Sequence, residues 1–350
     1  MVRILVTGGA GFVGSHTCLL LLEAGHEIIS LDSYVNSSKN VFKRIIEICK
    51  LKKINQDLLN IFECDIRDER SLDDIFKKFS ENNRAIQGVI HFAGLKSVKE
   101  SEADPHKYWD VNLGGTLNLL KVMKKFNCRK IVFSSSATIY GDPENLPIVE
   151  DAKIKPINPY GKTKAAVEQF LFDIYNSEPK RWSIVNLRYF NPVGSHQSGL
   201  LGEDPRGIPN NLFPYICKVA NGQMENLKIY GSDWPTNDGT GVRDYIHIED
   251  LADGHKKALE LMFSEKEGSY RSINLGCGQG ISVLEMVKTF EKINNCKINK
   301  VFEPRREGDV AKTYADISLA KTILGWTPKK SLNDVCRDGW KWVQLNPHGY

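Results

Sequence analysis

The chain has 350 residues, with 47 Lys and Arg against 43 Asp and Glu, which gives a formal net charge of +4. So small an excess, spread over the whole chain, gives no basis for predicting a nucleic-acid partner. Hydrophobic residues make up 41% and charged residues 26%, which excludes disordered and fibrous classes, and no apolar run is long enough to predict a membrane-spanning helix.

The eight cysteines are scattered along the chain, and none belongs to a Cys-x-x-Cys pair. Disulfide frameworks and zinc sites usually show tighter clustering. We therefore predict reduced thiols in a cytoplasmic protein, with no bound metal. The N-terminus is typical of a strand that enters a glycine turn rather than of a secretion signal.

Short apolar runs alternate with helix-sized stretches in the first half of the chain. Continuous apolar runs are typical of strands buried on both faces, and the predicted strands are Val2–Val6, Glu27–Leu31, Asn60–Cys64, Gly88–Phe92, Lys130–Ser134 and Ser183–Leu187. Helices are predicted at Phe12–Ala24, Ser71–Phe79, Lys107–Lys125 and Tyr160–Tyr175, with an exposed helix and loop within Asn36–Asn60. This alternation predicts an α/β fold built on a Rossmann-type, doubly wound parallel sheet.

The composition changes after about Asn191, where Gly, Pro and Asn become dense as far as Gly241. Shorter elements follow, predicted at Glu249–Met262, Ser272–Leu275, Val283–Ile293 and Asn333–Gln344. We predict two domains with some interleaving of the chain: a Rossmann domain for NAD over residues 1–190 and a smaller α/β substrate domain over residues 191–350.

A glycine-rich turn lies between the first predicted strand and the first predicted helix. It satisfies both Gly9-x-Gly11-x-x-Gly14 and Gly8-x-x-Gly11-x-x-Gly14. Such glycines allow a tight turn, close approach of a pyrophosphate and close packing of helix on strand, while the helix N-terminus offers N–H groups to phosphates. Asp32 ends the second strand, where its carboxylate can accept hydrogen bonds from ribose hydroxyls and repel a 2′-phosphate, so we predict NAD rather than NADP.

Two further strand ends suit the same cofactor. Asp65-Ile66 follows the third strand, where an Asp can reach the adenine amino group, and Phe92-Ala93-Gly94-Leu95-Lys96 follows the fourth, where small residues admit the cofactor. Each could be an ordinary strand end. Ligands of such sheets bind at the carboxyl ends of the strands, which favours the functional interpretation.

A tyrosine and a lysine begin the helix after Pro159. Tyr160 and Lys164 are four residues apart, so one helix face presents both. A phenol with a pKa of about 10 is a poor base at neutral pH, and a nearby ammonium favours the phenolate. The segment Ser134–Gly141 ends the fifth strand with hydroxyls that can bind a substrate hydroxyl and relay a proton to Tyr160. We predict a redox site of Ser136, Tyr160 and Lys164.

The glycine turn and this redox set resemble the extended short-chain dehydrogenase/reductase family. The resemblance spans essentially the whole chain, Leu5–Tyr350, and is strongest to the 4-epimerases that interconvert UDP-glucose and UDP-galactose. The segments that carry it are His91–Lys96, Leu187–Gly194, Gly207–Leu212, Asp238–His247 and Pro304–Asp309.

The resemblance implies NAD as cofactor and a UDP-hexose as substrate. The implied cofactor-binding residues are Gly8, Gly11, Phe12, Val13, Gly14, Asp32, Ser33, Tyr34, Asn36, Ser37, Asp65, Ile66, Phe92, Ala93, Gly94, Lys96, Ser134, Tyr160, Lys164 and Tyr189. The implied substrate-binding residues are Lys96, Ser136, Tyr160, Phe190, Asn191, Asn211, Leu212, Lys228, Ile229, Tyr230, Arg243, Tyr245, Arg306, Asp309 and Thr313. Among these, Arg243 and Arg306 are expected at the diphosphate, and Asp309 at the uridine ribose.

The implied reaction is a transient oxidation of the sugar at carbon 4, with tightly bound NAD, followed by return of the hydride to the other face. In the family, a tyrosine four positions after the equivalent of Asp309 is associated with exclusion of N-acetylated sugars. Here that position is Thr313, so we predict that UDP-GlcNAc and UDP-GalNAc also interconvert. The alternative is that Thr313 is small for packing reasons and other walls exclude the acetamido group.

The sequence disfavours three rival functions. A nucleotide-sugar 4,6-dehydratase needs an acid and base beside the active threonine, but Thr138 is followed by Ile139-Tyr140-Gly141. A decarboxylase would need a pocket for a uronic acid, which no motif marks, and a non-catalytic NAD-binding scaffold would typically have lost Tyr160 or Lys164. The family also implies a homodimer, formed here by the helices Lys107–Lys125 and Tyr160–Tyr175.

Overall fold

The computed structural model describes residues 1–81, 85–205, 209, 211–306 and 308–350, and they form two compact units. The first unit comprises Met1–Gly141, Lys153–Arg188 and Ala252–Ile273, and the second comprises Asp142–Ala152, Tyr189–Leu251 and Asn274–Tyr350.

The strands are β1 (Arg3–Thr7), β2 (Glu27–Asp32), β3 (Leu59–Glu63), β4 (Gly88–His91), β5 (Lys130–Ser136), β6 (Ser183–Tyr189), β7 (Asn191–Val193), β8 (Leu227–Tyr230), β9 (Val242–Arg243), β10 (Tyr245–His247), β11 (Ser269–Leu275), β12 (Ile281–Ser282), β13 (Lys300–Glu303) and β14 (Lys312–Thr313). The helices are α1 (Phe12–Glu23), α2 (Asn40–Leu51), α3 (Glu69–Ser80), α4 (Val98–Ala103), α5 (Pro105–Tyr108), α6 (Gly115–Lys125), α7 (Pro159–Ser177), α8 (Leu212–Ala220), α9 (Ile248–Ser264), α10 (Val283–Asn294) and α11 (Leu332–Leu345).

Within the described part of the chain, the main sheet has seven strands in the order β11-β6-β5-β4-β1-β2-β3. The pairs β1–β2, β2–β3, β1–β4 and β4–β5 are parallel, with Arg3 opposite Glu27 and Ile4 opposite Gly88. The strand order reverses at β1, which is the point where sheets of this class bind their ligands. The predicted Rossmann-type sheet is confirmed, and each predicted strand lies within two residues of an observed one.

Burial of apolar strands explains why this sheet forms. Every residue of β1, β2 and β4 is buried, as expected of strands covered by helices on both faces. Leu5, Ile29, Val89, Ile131 and Ile184 lie in one apolar cluster beneath α3 and α6. Each such side chain contributes about 1.5–3 kcal/mol to folding when it is fully buried.

The helix predicted in the polar stretch after β2 is present as α2, but the prediction that it is exposed is wrong, because one of its faces is buried. Val41, Phe42, Ile45 and Ile48 are buried, and the helix packs against α1. Their spacing of three to four residues is that of an apolar stripe on an otherwise polar helix. The high polar content of Asn36–Asn60 had concealed this stripe.

The helix predicted over Lys107–Lys125 is confirmed as a helical stretch, but it is not α-helical throughout. The structure has α5, a π-helical turn at Trp109–Gly114 and then α6. Single π turns inside helices often occur at functional sites. Here the turn contains Asn112, whose side chain bonds to a neighbouring loop, a long-range contact that local sequence patterns do not reveal.

The second unit contains small sheets on a separate apolar core. β7 pairs with β10 in parallel, β8 with β13 in parallel, and β9 lies between β12 and β14. Phe213, Ile229, Phe290 and Val335 belong to a core shared by α8, α10 and α11.

Among the described residues, no helix combines the length and the apolar character needed to cross a bilayer. The eight cysteines are free thiols, and six of them are buried.

Candidate functional site

The glycine turn after β1 is held by contacts that exclude larger side chains. Gly8 has φ +68°, and a Cβ at this position would lie 2.7 Å from the Ala93 nitrogen. A Cβ at Gly14 would lie 2.2 Å from the Gly8 carbonyl oxygen, so α1 packs directly on the turn. Gly11 caps α1 without a side-chain hydrogen bond, and the first turn of the helix holds no acidic residue. The turn therefore presents backbone N–H groups in the way that a pyrophosphate requires.

Asp32 binds the turn and the loop that follows β2. Its Oδ2 accepts a bond from the Ala10 N–H at 3.0 Å, and its Oδ1 accepts bonds from the Tyr34 N–H at 2.9 Å and the Ser37 hydroxyl at 2.8 Å. A carboxylate offers about four acceptor positions, so capacity for a ribose hydroxyl remains. The neighbouring predicted residues Ser33 and Asn36 are exposed, whereas Phe12 and Val13 are partly buried.

The end of β3 carries an ion pair that the sequence did not predict. Arg67 donates to both carboxylate oxygens of Asp65, with Nη2–Oδ2 at 2.7 Å, and also to Asp110. These bonds lower the pKa of Asp65. Ile66 is buried, and a Cβ added at Gly115 would lie 2.6 Å from its Cδ1. Asp65 and Ile66 thus lie at the sheet edge where they were predicted.

Asn112 holds the loop after β4 and was missed by the sequence analysis. Its Oδ1 accepts the Leu95 N–H at 2.7 Å, and its Nδ2 donates to the Leu95 carbonyl and to the Thr163 hydroxyl, both at 3.1 Å. A Cβ at Gly94 would lie 3.1 Å from this amide and 3.9 Å from Lys164 Nζ. A polar residue inside an apolar helical stretch was the available signal. Phe92 and Ala93 are partly buried in this loop, and Lys96 is exposed.

The N-terminus of α7 is fixed by its cap. The Asn158 side chain accepts the Gly161 N–H at 2.8 Å, and Pro159 occupies the first turn. Both features favour a helix start. A Cβ at Gly161 would lie 2.9 Å from the Thr138 carbonyl oxygen, so the helix lies directly against the 3₁₀ turn after β5. This contact brings the predicted redox residues together.

Ser136, Tyr160 and Lys164 are buried side chains in this region, 7%, 8% and 6% exposed. Lys164 Nζ donates to the Ser134 carbonyl at 2.8 Å and lies 5.9 Å from the centre of the Tyr160 ring. The Ser136 hydroxyl accepts bonds from the N–H and hydroxyl of Thr138. Its own proton thus remains available to a ligand.

Burial lowers the pKa of Lys164 to about 8, and Glu168 opposes this shift. Lys164 is therefore mainly protonated at neutral pH, as a partner of a phenolate must be. Burial, with Lys164 as a second cause, lowers the pKa of His91 to about 3. His91 is thus neutral and bridges Thr7 and Thr116, with ring nitrogens 2.7 and 2.8 Å from their hydroxyl oxygens.

In the second unit, Arg243 and Thr313 are directly opposite each other on β9 and β14. An Arg243 guanidinium nitrogen lies 4.0 Å from Asp309 Oδ1, and the two side chains are 23% and 38% exposed. Three of the predicted substrate residues therefore lie together in a half-exposed, loosely paired group.

Arg306 lies against Tyr230, with the guanidinium carbon 3.6 Å from the ring centre. Tyr230 ends β8, where Lys228 is exposed and pairs with Glu303 at 3.3 Å. The Ile229 side chain is buried in the core, so it offers a ligand only its backbone. This alternation follows from the strand period of two.

Asp244 anchors the strand next to Arg243 and was also missed. Its carboxylate accepts the N–H groups of Cys277, Gly278 and Ala315. Burial raises its pKa to about 6. Asn191 binds the Asp244 carbonyl through its backbone and side-chain N–H groups.

The remaining predicted substrate residues differ in exposure. Phe190 and Tyr245 are buried, and burial raises the pKa of Tyr245 to about 12. Tyr189 and Leu212 are partly buried, and Asn211 is exposed at the start of α8. Gly207, Ile208, Asn210 and Glu307, which belong to the resembling segments, lie outside the described residues.

His247, Glu249 and Asp338 form the group of described residues with metal-ligand spacing. Lys330 pairs with Glu249 at 2.6 Å and Arg337 with Asp338 at 2.9 Å. These cations balance both carboxylates, so the group has little attraction for a metal ion.

Comparisons with known proteins cover nearly the whole chain. A family model described as GDP-mannose 4,6 dehydratase matches residues 5–339. The chain is 50% identical over 348 residues to the bifunctional UDP-glucose 4-epimerase and UDP-xylose 4-epimerase 1 of Pisum sativum, covering 99% of this chain and 97% of that protein. It is 50% identical over 347 residues to the UDP-glucose 4-epimerase of Bacillus subtilis, covering 99% and 98%.

The chain is also similar to solved structures of UDP-glucose 4-epimerases. The UDP-glucose 4-epimerase of Bifidobacterium longum in complex with NAD+ and UDP superimposes with a TM-score of 0.92 at 46% identity, over 100% of each chain. That of Stenotrophomonas maltophila, with bound NAD and formylated UDP-arabinopyranose, gives a TM-score of 0.93 at 42% identity, over 99% of each chain.

Proposed function

The chain belongs to the UDP-glucose 4-epimerase family of extended short-chain dehydrogenase/reductases, and from this premise we propose how its residues divide the work. It interconverts UDP-glucose and UDP-galactose by inverting carbon 4, and its cofactor is NAD. The first unit binds NAD and carries the redox residues, and the second unit binds the UDP group. The placement of Tyr160 and Lys164 on one buried helix face beside Ser136 carries this assignment.

The glycine turn, Asp32 and the loop after β4 fit a dinucleotide. Free N–H groups at the start of α1 bind the pyrophosphate, and Asp32 binds the adenosine ribose. The lack of a Cβ at Gly8 and Gly94 lets Gly8 pack closely on the Ala93 backbone and Gly94 on the Asn112 amide, which fixes the turn and the loop against each other. NAD supplies the hydride acceptor, and then the hydride donor, at carbon 4 of the sugar.

Tyr160 acts as the base. Its phenolate, favoured by the Lys164 ammonium, takes the proton of the sugar 4-hydroxyl, while the Ser136 hydroxyl binds the same oxygen. After the hydride leaves carbon 4, the sugar is a 4-keto compound that can turn and accept the hydride on its other face. Tyr160 then returns the proton to the inverted hydroxyl.

Arg243 and Arg306 hold the diphosphate, and Asp309 holds the uridine ribose. Guanidinium groups match phosphate oxygens in geometry and charge. Binding energy from the UDP group, remote from carbon 4, keeps the substrate in place while the hexose turns. This division suits a reaction that must present both faces of one ring.

The decisive experiment incubates the purified protein with UDP-galactose and no added cofactor, followed by chromatography of the nucleotide sugars. We expect UDP-glucose to form and to settle at a fixed ratio. Turnover only after addition of NAD would contradict tight cofactor retention. A dehydrated product would contradict epimerisation in favour of the dehydratase reaction, which Ile139-Tyr140-Gly141 argues against because it supplies no carboxylate.

Thr313 extends the substrate range to UDP-GlcNAc and UDP-GalNAc. The residue is partly buried and lies opposite Arg243, next to the proposed diphosphate ligands. We expect turnover of UDP-GalNAc by the wild-type protein and its selective loss in Thr313→Tyr, with UDP-galactose turnover retained. Thr322→Tyr, on an exposed surface, is the matched control. Wild-type protein that turns over UDP-galactose but not UDP-GalNAc would contradict this extension.

We also propose a homodimer formed through α6 and α7. Leu117 on α6 and Phe172 on α7 are 37% and 41% exposed, and Trp109 precedes α6 with 37% exposure. Exposed apolar side chains on adjoining helices are typical of an interface. Light scattering should give twice the chain mass, and Phe172→Glu should give the monomer mass.

The free thiols support a cytoplasmic location.

A further inference from the structure

A buried ion pair in the first unit has no part in the chemistry described above. Glu168 on α7 accepts three bonds from the Arg188 guanidinium on β6: Nε donates to Oε1 at 3.0 Å and to Oε2 at 3.1 Å, and Nη2 donates to Oε2 at 2.6 Å. The two side chains are 4% and 6% exposed. Buried ion pairs are weak stabilisers because desolvation offsets their attraction. Stability alone is therefore a poor reason for this pair.

Two neutral side chains join the pair in a network. The Ser135 hydroxyl donates to Glu168 Oε1, and Arg188 Nη1 donates to the Tyr140 hydroxyl at 3.1 Å. Both of these side chains are buried. The network thus connects α7 with β5, β6 and the 3₁₀ turn Ala137–Tyr140.

Each connection lies next to a residue of the proposed redox site. Tyr160, Lys164 and Glu168 follow one another at intervals of four, so they share a face of α7. On β5, the Ser134 carbonyl accepts a bond from Lys164, and the Ser135 hydroxyl donates to Glu168. The next residue is Ser136, and Tyr140 ends the turn that begins there.

We propose that Ser135, Glu168, Arg188 and Tyr140 form a positioning network, which keeps the face of α7 that bears Tyr160 and Lys164 in register with β5 and places a negative charge near Lys164. This inference rests on the proposed function and adds to it the residues that hold the base and its partner in place. Because small displacements of reacting groups cost large factors in rate, such a network affects kcat rather than substrate binding.

The charged and titratable groups around Lys164 define what Glu168 does. On its own helix these are Tyr160 and Glu168, and on β4 the neutral His91. β5 contributes the Ser134 carbonyl and the Phe133 ring, whose centre is 4.9 Å from Lys164 Nζ. Among these groups Glu168 is the one that raises the pKa of Lys164 against the effect of burial, so its loss makes Lys164 release its proton at lower pH.

The test uses a double variant, Glu168→Gln/Arg188→Gln, because either single change leaves one buried charge unpaired. We expect kcat for UDP-galactose to fall about 10-fold to 100-fold, with KM within about twofold of wild type. The basic limb of kcat against pH should move to lower pH, because of the two charges removed it is that of Glu168 that acts on the pKa of Lys164. Glu178→Gln, which breaks the Arg181 pair at the end of the same helix, is the matched control and should behave as wild type.

Folding is monitored by thermal unfolding and by bound NAD. If the double variant unfolds, Ser135→Ala/Tyr140→Phe is used instead. It removes the hydroxyl groups that bond to Glu168 and Arg188, and we expect about a 3-fold to 10-fold lower kcat. A folded variant with wild-type kcat and pH profile overturns the inference, as does an equal loss in Glu178→Gln. A wild-type protein without turnover of UDP-galactose contradicts the proposed function instead.

Discussion

The two groups of proposed site residues differ in how firmly the fold holds them. In the first unit, Ser136, Tyr160 and Lys164 are less than 9% exposed, and Lys164 is bonded to the backbone of β5. In the second unit, Arg243 and Asp309 are 23% and 38% exposed and approach no closer than 4.0 Å. Arg306 is exposed and stacks on Tyr230.

This difference in exposure and bonding fits the role proposed for each group. Groups that move a proton work best when fixed in advance, because any reorganisation during the reaction adds to the barrier. Groups that bind a diphosphate can adjust around it, since charge attraction acts over several ångströms. A sugar that must turn during the reaction can be retained by strong binding of its diphosphate, whereas tight contacts around its ring would prevent the turn.

The largest expected effect on activity comes from a change in the buried redox residues of the first unit. Tyr160→Phe removes the hydroxyl of the proposed base and keeps the ring, and kcat for UDP-galactose should fall about 10²-fold to 10⁴-fold. Bound NAD and thermal stability should stay near wild type. Tyr175→Phe, on the same helix, is the control and should keep full activity. Full turnover by the Tyr160 variant would refute the assigned base.

The second unit also has a firmly held residue next to its exposed arginines: Asp244, which is buried and accepts three backbone N–H bonds. Burial raises the folded-state pKa of Asp244 to about 6 from 3.8, so between pH 4 and 6 the folded protein binds more protons at this residue than the unfolded chain. Its contribution to the free energy of unfolding is therefore complete below pH 4 and falls by about 3 kcal/mol as pH rises through 6.

Urea unfolding of wild type and Asp244→Asn at pH 4, 5, 6 and 7 isolates this contribution, because the other carboxylates cancel in the difference. The variant should lose most stability relative to wild type at pH 4 and less at pH 7. A difference that does not vary with pH would show that Asp244 is ionised throughout.

Substitution of Arg306, the exposed residue proposed to bind the diphosphate, should change KM rather than kcat, which is the opposite of the pattern expected for Tyr160. Arg306→Ala removes the proposed charge-assisted contact to the diphosphate and should raise KM for UDP-galactose about 10-fold to 100-fold, with kcat within a few-fold of wild type. Arg337→Ala, an exposed arginine of the second unit, is the control. Equal falls in kcat and kcat/KM would place Arg306 in the chemical step.

The smallest effect concerns the dinucleotide turn. In Asp32→Asn, the amide cannot accept bonds from Ala10, Tyr34 and Ser37 as the carboxylate does. The free energy of unfolding should fall by about 1–2 kcal/mol, and purified protein should retain less NAD. KM for the sugar should not change. Asp74→Asn, on the exposed side of α3, serves as control, and unaltered NAD content would contradict the role of Asp32.

The sheet and the redox helix could be predicted from local patterns. Apolar runs located β1 to β6, and the spacing of Tyr160 and Lys164 located a shared helix face. Local patterns failed where a distant contact decides the conformation. Asn112 bonds to Leu95 and Thr163, far along the chain, and the helix around it contains a π turn.

By itself, the sequence determined the glycine turn, the buried strands and the identity of the proposed catalytic residues, because each depends on residues close together in the chain. The tertiary structure alone decided that β11 joins the main sheet beside β6, that Glu168 pairs with Arg188, and that Arg306 stacks on Tyr230. These contacts join residues tens of positions apart. No periodicity encodes them, since they arise only when the apolar surfaces of strands and helices have packed together.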